Sequence, residues 1–117
     1  MELNELRQQI NDIDSQLAQL FAKRMDTTLA VARYKKEHNL PVLDRSRERQ
    51  VLARIAEIVG EPYEQYSRVL WNTLFDLSRS CQNKALSQGS QLEERIRLAL
   101  EKTPQLFPSK AAVAVQG

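Results

Sequence analysis

Apolar residues in the first third of the chain recur at helical spacing. Leu6, Ile10, Ile13, Leu17 and Leu20 follow one another at intervals of four, three, four and three. That is the stripe of an amphipathic helix. The next position on the stripe is Arg24, and polar residues return to it at Thr28 and Lys35, around Val31. A permanent cation on a core-facing stripe is costly unless an anion or water meets it. The anion comes either from the protein or from a ligand, and the stripe does not say which.

The pattern predicts a first helix from Asn4 to His38, with Asn4 as N-cap and Glu5 placing negative charge near its start. Residues 1–40 contain neither Gly nor Pro, which favours helix. Such a helix is about 50 Å long, more than the diameter of a compact domain of this size. It needs a partner along its length that one small chain supplies poorly, so dimerisation through this helix is expected. Pro41 disfavours helix at Leu40 and ends it. A second helix starts at the N-cap Asp44, with Glu48 in its first turns and Val51, Leu52, Ile55, Ile58 and Val59 as its apolar face. Gly60 and Pro62 terminate it. A third runs from Tyr63 to Ala85 on Tyr66, Leu70, Trp71, Leu74 and Phe75, continuing through Ser78, Cys81 and Gln82. Ser90 caps a predicted shorter helix, Gln91–Lys102, whose apolar side is Leu92, Ile96 and Leu100. Ala111-Ala112-Val113-Ala114-Val115 reads as a buried strand. A lone strand has no partner in an otherwise helical chain, so it is read as the start of a second domain, the other reading being a disordered or adventitious tail. The chain thus divides into a helical domain (1–84), a short helix and linker (85–103) and a tail (104–117), in an all-α fold class.

The 117 residues suit one small domain, and 42% hydrophobic content is enough for a core. The net charge of +2, from 17 basic and 15 acidic residues, argues against general nucleic-acid binding. The single Cys81 rules out an intramolecular disulfide, and no zinc pattern is present. No apolar run is long enough for a signal peptide or a membrane span, and a reducing cytoplasm is the expected compartment.

Three groups of polar residues stand out once the helices are placed. The first helix carries Arg7, Arg24 and Lys35, the start of the second Asp44, Arg47 and Glu48, and the third Ser78 and Gln82, one turn apart on one face. There is no Ser-His-Asp or Cys-His set, no metal cluster and no Gly-rich phosphate loop. His38 beside a helix end reads as a surface residue, and Cys81 as packing. A set rich in cations, with a well-placed carboxylate and no nucleophile, suits a dianionic small molecule. It suits a reaction driven by electrostatic stabilisation and conformational restraint. Arg7 precedes Arg24 by 17 residues, about 25 Å along a helix. The two reach one small ligand only if two first helices pair antiparallel in a twofold dimer. Spacing alone favours Arg7 as a plain surface residue near a helix start.

The ordered series Leu6-Arg7, Ile10, Ile13-Asp14, Leu17, Leu20, Arg24, Val31, Lys35, Pro41-Val42, Asp44, Arg47-Glu48-Arg49 and Ser78-x-x-x-Gln82 resembles the all-α chorismate mutase domain over residues 3–84. The resemblance implies an intertwined homodimer of three-helix subunits with a very long first helix. It implies the Claisen rearrangement of chorismate to prephenate in phenylalanine and tyrosine biosynthesis, a pericyclic step without nucleophile, metal or cofactor. By the same resemblance, Arg24, with Arg7 from the other chain, binds the substrate carboxylates. Lys35 donates to a carboxylate and to the ether oxygen, and Gln82 gives that oxygen its second hydrogen bond. Arg47 supports the anionic part of the pocket, Glu48 accepts from the ring hydroxyl with Asp44 nearby, and Ser78 contacts the ring carboxylate. Ala112–Gly117 resembles the opening strand of a prephenate dehydratase domain, which implies the N-terminal part of a bifunctional mutase–dehydratase. Two other readings stay open: an isochorismate-pyruvate lyase of the same fold, and a non-catalytic helical dimerisation or regulatory module. In the last, the polar set forms internal salt bridges, with Arg24–Glu48 as the obvious pair.

Overall fold

The structure, a computed structural model, describes residues 2–88 and residue 98. Of the short helix expected at 91–102 only residue 98 is described, and it is helical; the strand at 111–115 and the proposed second domain lie outside the described residues. Three helices follow one another: α1 (Leu3–Glu37), α2 (Arg45–Val59) and α3 (Glu64–Ser87). Among the described residues there is no strand, as the all-α pattern predicts.

The helix ends show local chemistry at work. Asn4 is not the N-cap of α1. The helix begins at Leu3, Glu2 occupies the cap position without a side-chain bond, and its carbonyl accepts from Leu6 N at 3.1 Å. At the other end α1 stops before Pro41 acts. Asn39 takes a left-handed backbone, φ 53°. Its N–H bonds to the Lys36 carbonyl, and the Leu40 N–H bonds to the Lys35 carbonyl at 2.8 Å. This is a Schellman closure, and asparagine is among the few non-glycine residues that tolerate it. Asp44 caps α2 as predicted, its carboxylate accepting from Arg47 N at 3.0 Å. Gly60, at φ 65°, closes α2 with a bond to the Ala56 carbonyl. α3 runs two residues beyond the predicted Ala85.

α3 is the central helix and packs against both α1 and α2, and its buried residues Ser67, Phe75, Ser78, Gln82 and Ala85 recur at helical spacing on one face. Val51 and Ile55 of α2 bury against Phe75, flanked by Leu52, Val59 and Trp71. Leu29 of α1 buries against Ala85, with Ala30, Cys81 and Leu86 around them. The predicted apolar faces are wider than this core. Ile58, Tyr66 and Leu70 are exposed, because each helix meets its neighbour along a narrower strip than the apolar pattern covers.

The N-terminal half of α1 lies open to solvent. Residues 2–22 are all exposed, and Leu6, Ile10, Ile13, Leu17 and Leu20 keep 42–56% of their surface. A helix of 35 residues is about 52 Å long, which matches the longest dimension of the molecule, 52 Å against 30 and 27 Å. The radius of gyration is 16.2 Å, against about 13 Å for a compact chain of this length. The stripe that opened the sequence is therefore not a core face within one subunit. It is an apolar arm.

Candidate functional site

Beside the Leu29–Ala85 contact, the interface between α1 and α3 is lined by polar residues. Arg24, Thr28 and Lys35 share one face of α1, and Ser78 and Gln82 share the facing side of α3. Lys35, Ser78 and Gln82 are 4%, 1% and 0% exposed, more buried than most of the apolar side chains. The start of α2 and the connection before it close the third side with Val42, Asp44, Arg47 and Glu48.

Within this space each group has a defined state. Arg24 Nη1 donates to Ser78 Oγ at 2.7 Å, and the Thr28 hydroxyl donates to the Arg24 carbonyl at 2.9 Å. Lys35 Nζ donates to the Val42 carbonyl at 2.7 Å. The Glu48 carboxylate accepts from Arg79 Nη1, and Arg79 Nη2 reaches Asp76. Arg24–Glu48, the pair expected of a non-catalytic module, does not form. Gln82 has no hydrogen-bond partner at either its amide nitrogen or its amide oxygen, and the buried Arg47 Nε has none.

The electrostatics point one way. Burial lowers the Arg24 pKa, and the neighbouring Arg47 cation lowers it further. Burial also lowers the Lys35 pKa, against a smaller opposing effect from Asp44 and Glu48. No carboxylate pairs with Arg24 or Lys35 among the described residues. The pocket thus holds desolvated cations whose charged forms a bound anion would favour. The amide of Gln82 adds a donor and an acceptor with nothing to bond. Leaving such a group buried costs about 1–3 kcal/mol, and native proteins contain few of them.

The structure thus gathers seven of the eight residues singled out in the sequence, namely Arg24, Lys35, Asp44, Arg47, Glu48, Ser78 and Gln82. Arg7 lies exposed on the arm, 17 residues before Arg24, hence about 25 Å from it. Arg79 and the Val42 carbonyl were not legible. Asp76 and Arg79, three apart, read as an ordinary pair along one helix, and nothing in the spacing links Arg79 to Glu48, 31 residues earlier. Among the described residues no cluster of His, Cys, Asp or Glu forms a metal site, and no helix is long and apolar enough to cross a membrane.

Residues 6–83 match the family described as chorismate mutase type II. The chain belongs to the chorismate mutase type II family. The match spans two-thirds of the sequence and includes all eight candidate residues. No curated protein and no solved structure matches the chain. Membership accounts for the all-helical architecture and supports a chorismate mutase type of activity.

The orphan Gln82 amide costs the fold stability. Gln82→Met keeps the volume and removes both unpaired atoms. We expect the variant to unfold at higher temperature, with a gain of about 1–2 kcal/mol that raises the melting point by several degrees. A lower melting temperature would mean that the amide has a partner in the folded protein.

Proposed function

We propose that this protein is a chorismate mutase that rearranges chorismate to prephenate for phenylalanine and tyrosine synthesis, and that it works as a homodimer. The observation that carries the reading is the half-buried Arg24 and the buried Lys35, without a carboxylate partner, in the same site as the unpaired Gln82 amide. In the rearrangement the ether C–O bond breaks as a new C–C bond forms, within one molecule. No nucleophile is required, and the site supplies restraint and charge.

Each role uses donors that are free in the pocket. An ammonium has three N–H donors. Lys35 uses one on Val42, leaving two for a substrate carboxylate and the ether oxygen. Gln82 offers its amide N–H to the same oxygen, where negative charge builds as the bond breaks. Arg24 uses one guanidinium N–H on Ser78, and the rest of its fork takes a carboxylate. Ser78 contacts the ring carboxylate and Arg47 supports the anionic end. Glu48, with Asp44 beside it, accepts from the ring hydroxyl. Arg7 of the partner subunit completes the carboxylate grip. Residues 112–117 carry the likeness to a following dehydratase domain.

Product identity tests the reading. Chorismate should yield prephenate, and isochorismate should release no pyruvate. Salicylate and pyruvate from isochorismate would make the protein a lyase.

The lowered Lys35 pKa sets a pH dependence. The ammonium is the acting form and is lost as pH rises through its lowered value. The alkaline limb of kcat/KM should therefore fall below 10.5, the ordinary lysine value. Bound dianion favours the charged form, so the limb of kcat should lie at higher pH than that of kcat/KM. Glu48→Gln removes an effect that raises the Lys35 pKa and should move the limb of kcat/KM to lower pH. An alkaline limb unmoved by Glu48→Gln would remove Lys35 from this role.

A further inference from the structure

The Arg79–Glu48 ion pair crosses from α3 to α2, whereas Arg33–Glu37, Arg68–Glu64 and Arg79–Asp76 each lie along one helix. Its side chains are only 26% and 19% exposed, while Asp76 on the outer side is 73% exposed. Arg79 is thus held at its rim by one carboxylate and turned inward onto another. The hydrogen bond to Glu48 is the main cause that raises the Arg79 pKa above its ordinary value.

Glu48 faces a second cation. Its charge acts on the Lys35 ammonium, which is almost fully buried and bonds instead to the Val42 carbonyl. Two cations therefore compete for one carboxylate, and Arg79 holds it. We propose that Arg79 is a positioning residue that fixes the Glu48 carboxylate on the α3 side of the site and keeps it from closing an ion pair with Lys35.

The inference rests on the roles proposed above for Lys35 and Glu48. Without Arg79, the Glu48 charge is left to act on the shielded Lys35 ammonium, and charges interact more strongly in shielded surroundings than in water. An ammonium bound to Glu48 has fewer donors for the ether oxygen, so the loss falls on the chemical step. Glu48 also leaves the place where it accepts from the substrate hydroxyl.

The test is a double-mutant cycle read in steady-state kinetics with chorismate. Arg79→Met keeps the apolar stem and removes the fork. It should lower kcat/KM by about 10- to 30-fold, the scale of one charge-assisted hydrogen bond, with kcat falling more than KM rises. Arg79→Lys should recover the greater part of the loss. In a Glu48→Gln background there is no carboxylate to misplace, and adding Arg79→Met should change kcat/KM by less than about threefold. Arg79→Gln, run in parallel, covers the case in which the Met variant does not fold. A purely structural role would lower both backgrounds alike, and that result overturns the inference, as does Arg79→Met with unchanged kinetics. Absence of prephenate from the unaltered protein overturns the reading of the whole site. Turnover by the unaltered protein without coupling between Arg79 and Glu48 overturns the positioning role alone.

Discussion

Arg24→Ala should abolish most turnover while leaving the protein folded. Arg24 lies where the apolar stripe of α1 enters the pocket, bonded to Ser78 and crowded by Arg47. Its fork is the group best placed to meet a substrate carboxylate. Removing one partner of a shielded charge pair costs about 3–5 kcal/mol, so kcat/KM should fall by about a hundred- to several-thousand-fold. Stability should respond differently. The substitution takes away one hydrogen bond to Ser78 and relieves the repulsion from Arg47, and these effects oppose each other. The melting temperature should stay within a few degrees of the parent's. Arg24→Lys retains charge without the planar fork and should fall between the two. Near-parental turnover in Arg24→Ala would remove the proposed site, since no other described cation occupies this place on α1.

Ile13→Asp should break the proposed dimer and the activity together. Leu6, Ile10, Ile13, Leu17 and Leu20 form a half-exposed row on the arm of α1. Covering each one gains roughly 1 kcal/mol or more, so two arms laid together gain on the order of 10 kcal/mol before entropic costs. A twofold axis repeats every substitution on both arms, so the new charge enters the interface twice. Sedimentation should show monomers, and turnover should vanish because no second Arg7 is near. A cleaner version uses two chains that each lack one arginine. Arg7→Ala and Arg24→Ala should both be nearly inactive alone. Exchanged subunits should restore about a quarter of the parental activity, since half of the dimers are mixed and each holds one complete site. No recovery on exchange would show that Arg7 and Arg24 do not serve one site. A monomeric parent would contradict the dimer outright.

Much of the site was legible because a helix has a fixed period. Arg24 with Lys35 and Ser78 with Gln82 fall on common faces by counting alone, and Asp44 announces a cap by its type and place. The end of α1 was placed within one residue, but its cause was misassigned for want of one detail. Pro41 is the loud signal, but Asn39 closes the helix first by adopting a left-handed backbone. Asn4 was misread in the opposite direction, since the carbonyl of Glu2 already accepts from Leu6 and leaves Asn4 inside the helix. Arg79 was missed because its visible partner, Asp76, is local. The partner that matters for the site is 31 residues away.

The same division holds for the molecule. The sequence by itself determined the three helices that the described residues form, their order, and which residues share each face. Those properties follow from the 3.6-residue repeat and from local capping. It also showed that the stripe of α1 must find a partner and that Arg24 interrupts it. Only the tertiary structure decided which strip of each face is covered. It left the arm from Leu6 to Leu20 bare, buried Gln82 without a bond, and gave Glu48 to Arg79 instead of to Arg24 or Lys35. The physical reason is that periodicity sets directions around a single axis. The identity of a neighbour depends on how separate axes pack, and no spacing along the chain records that.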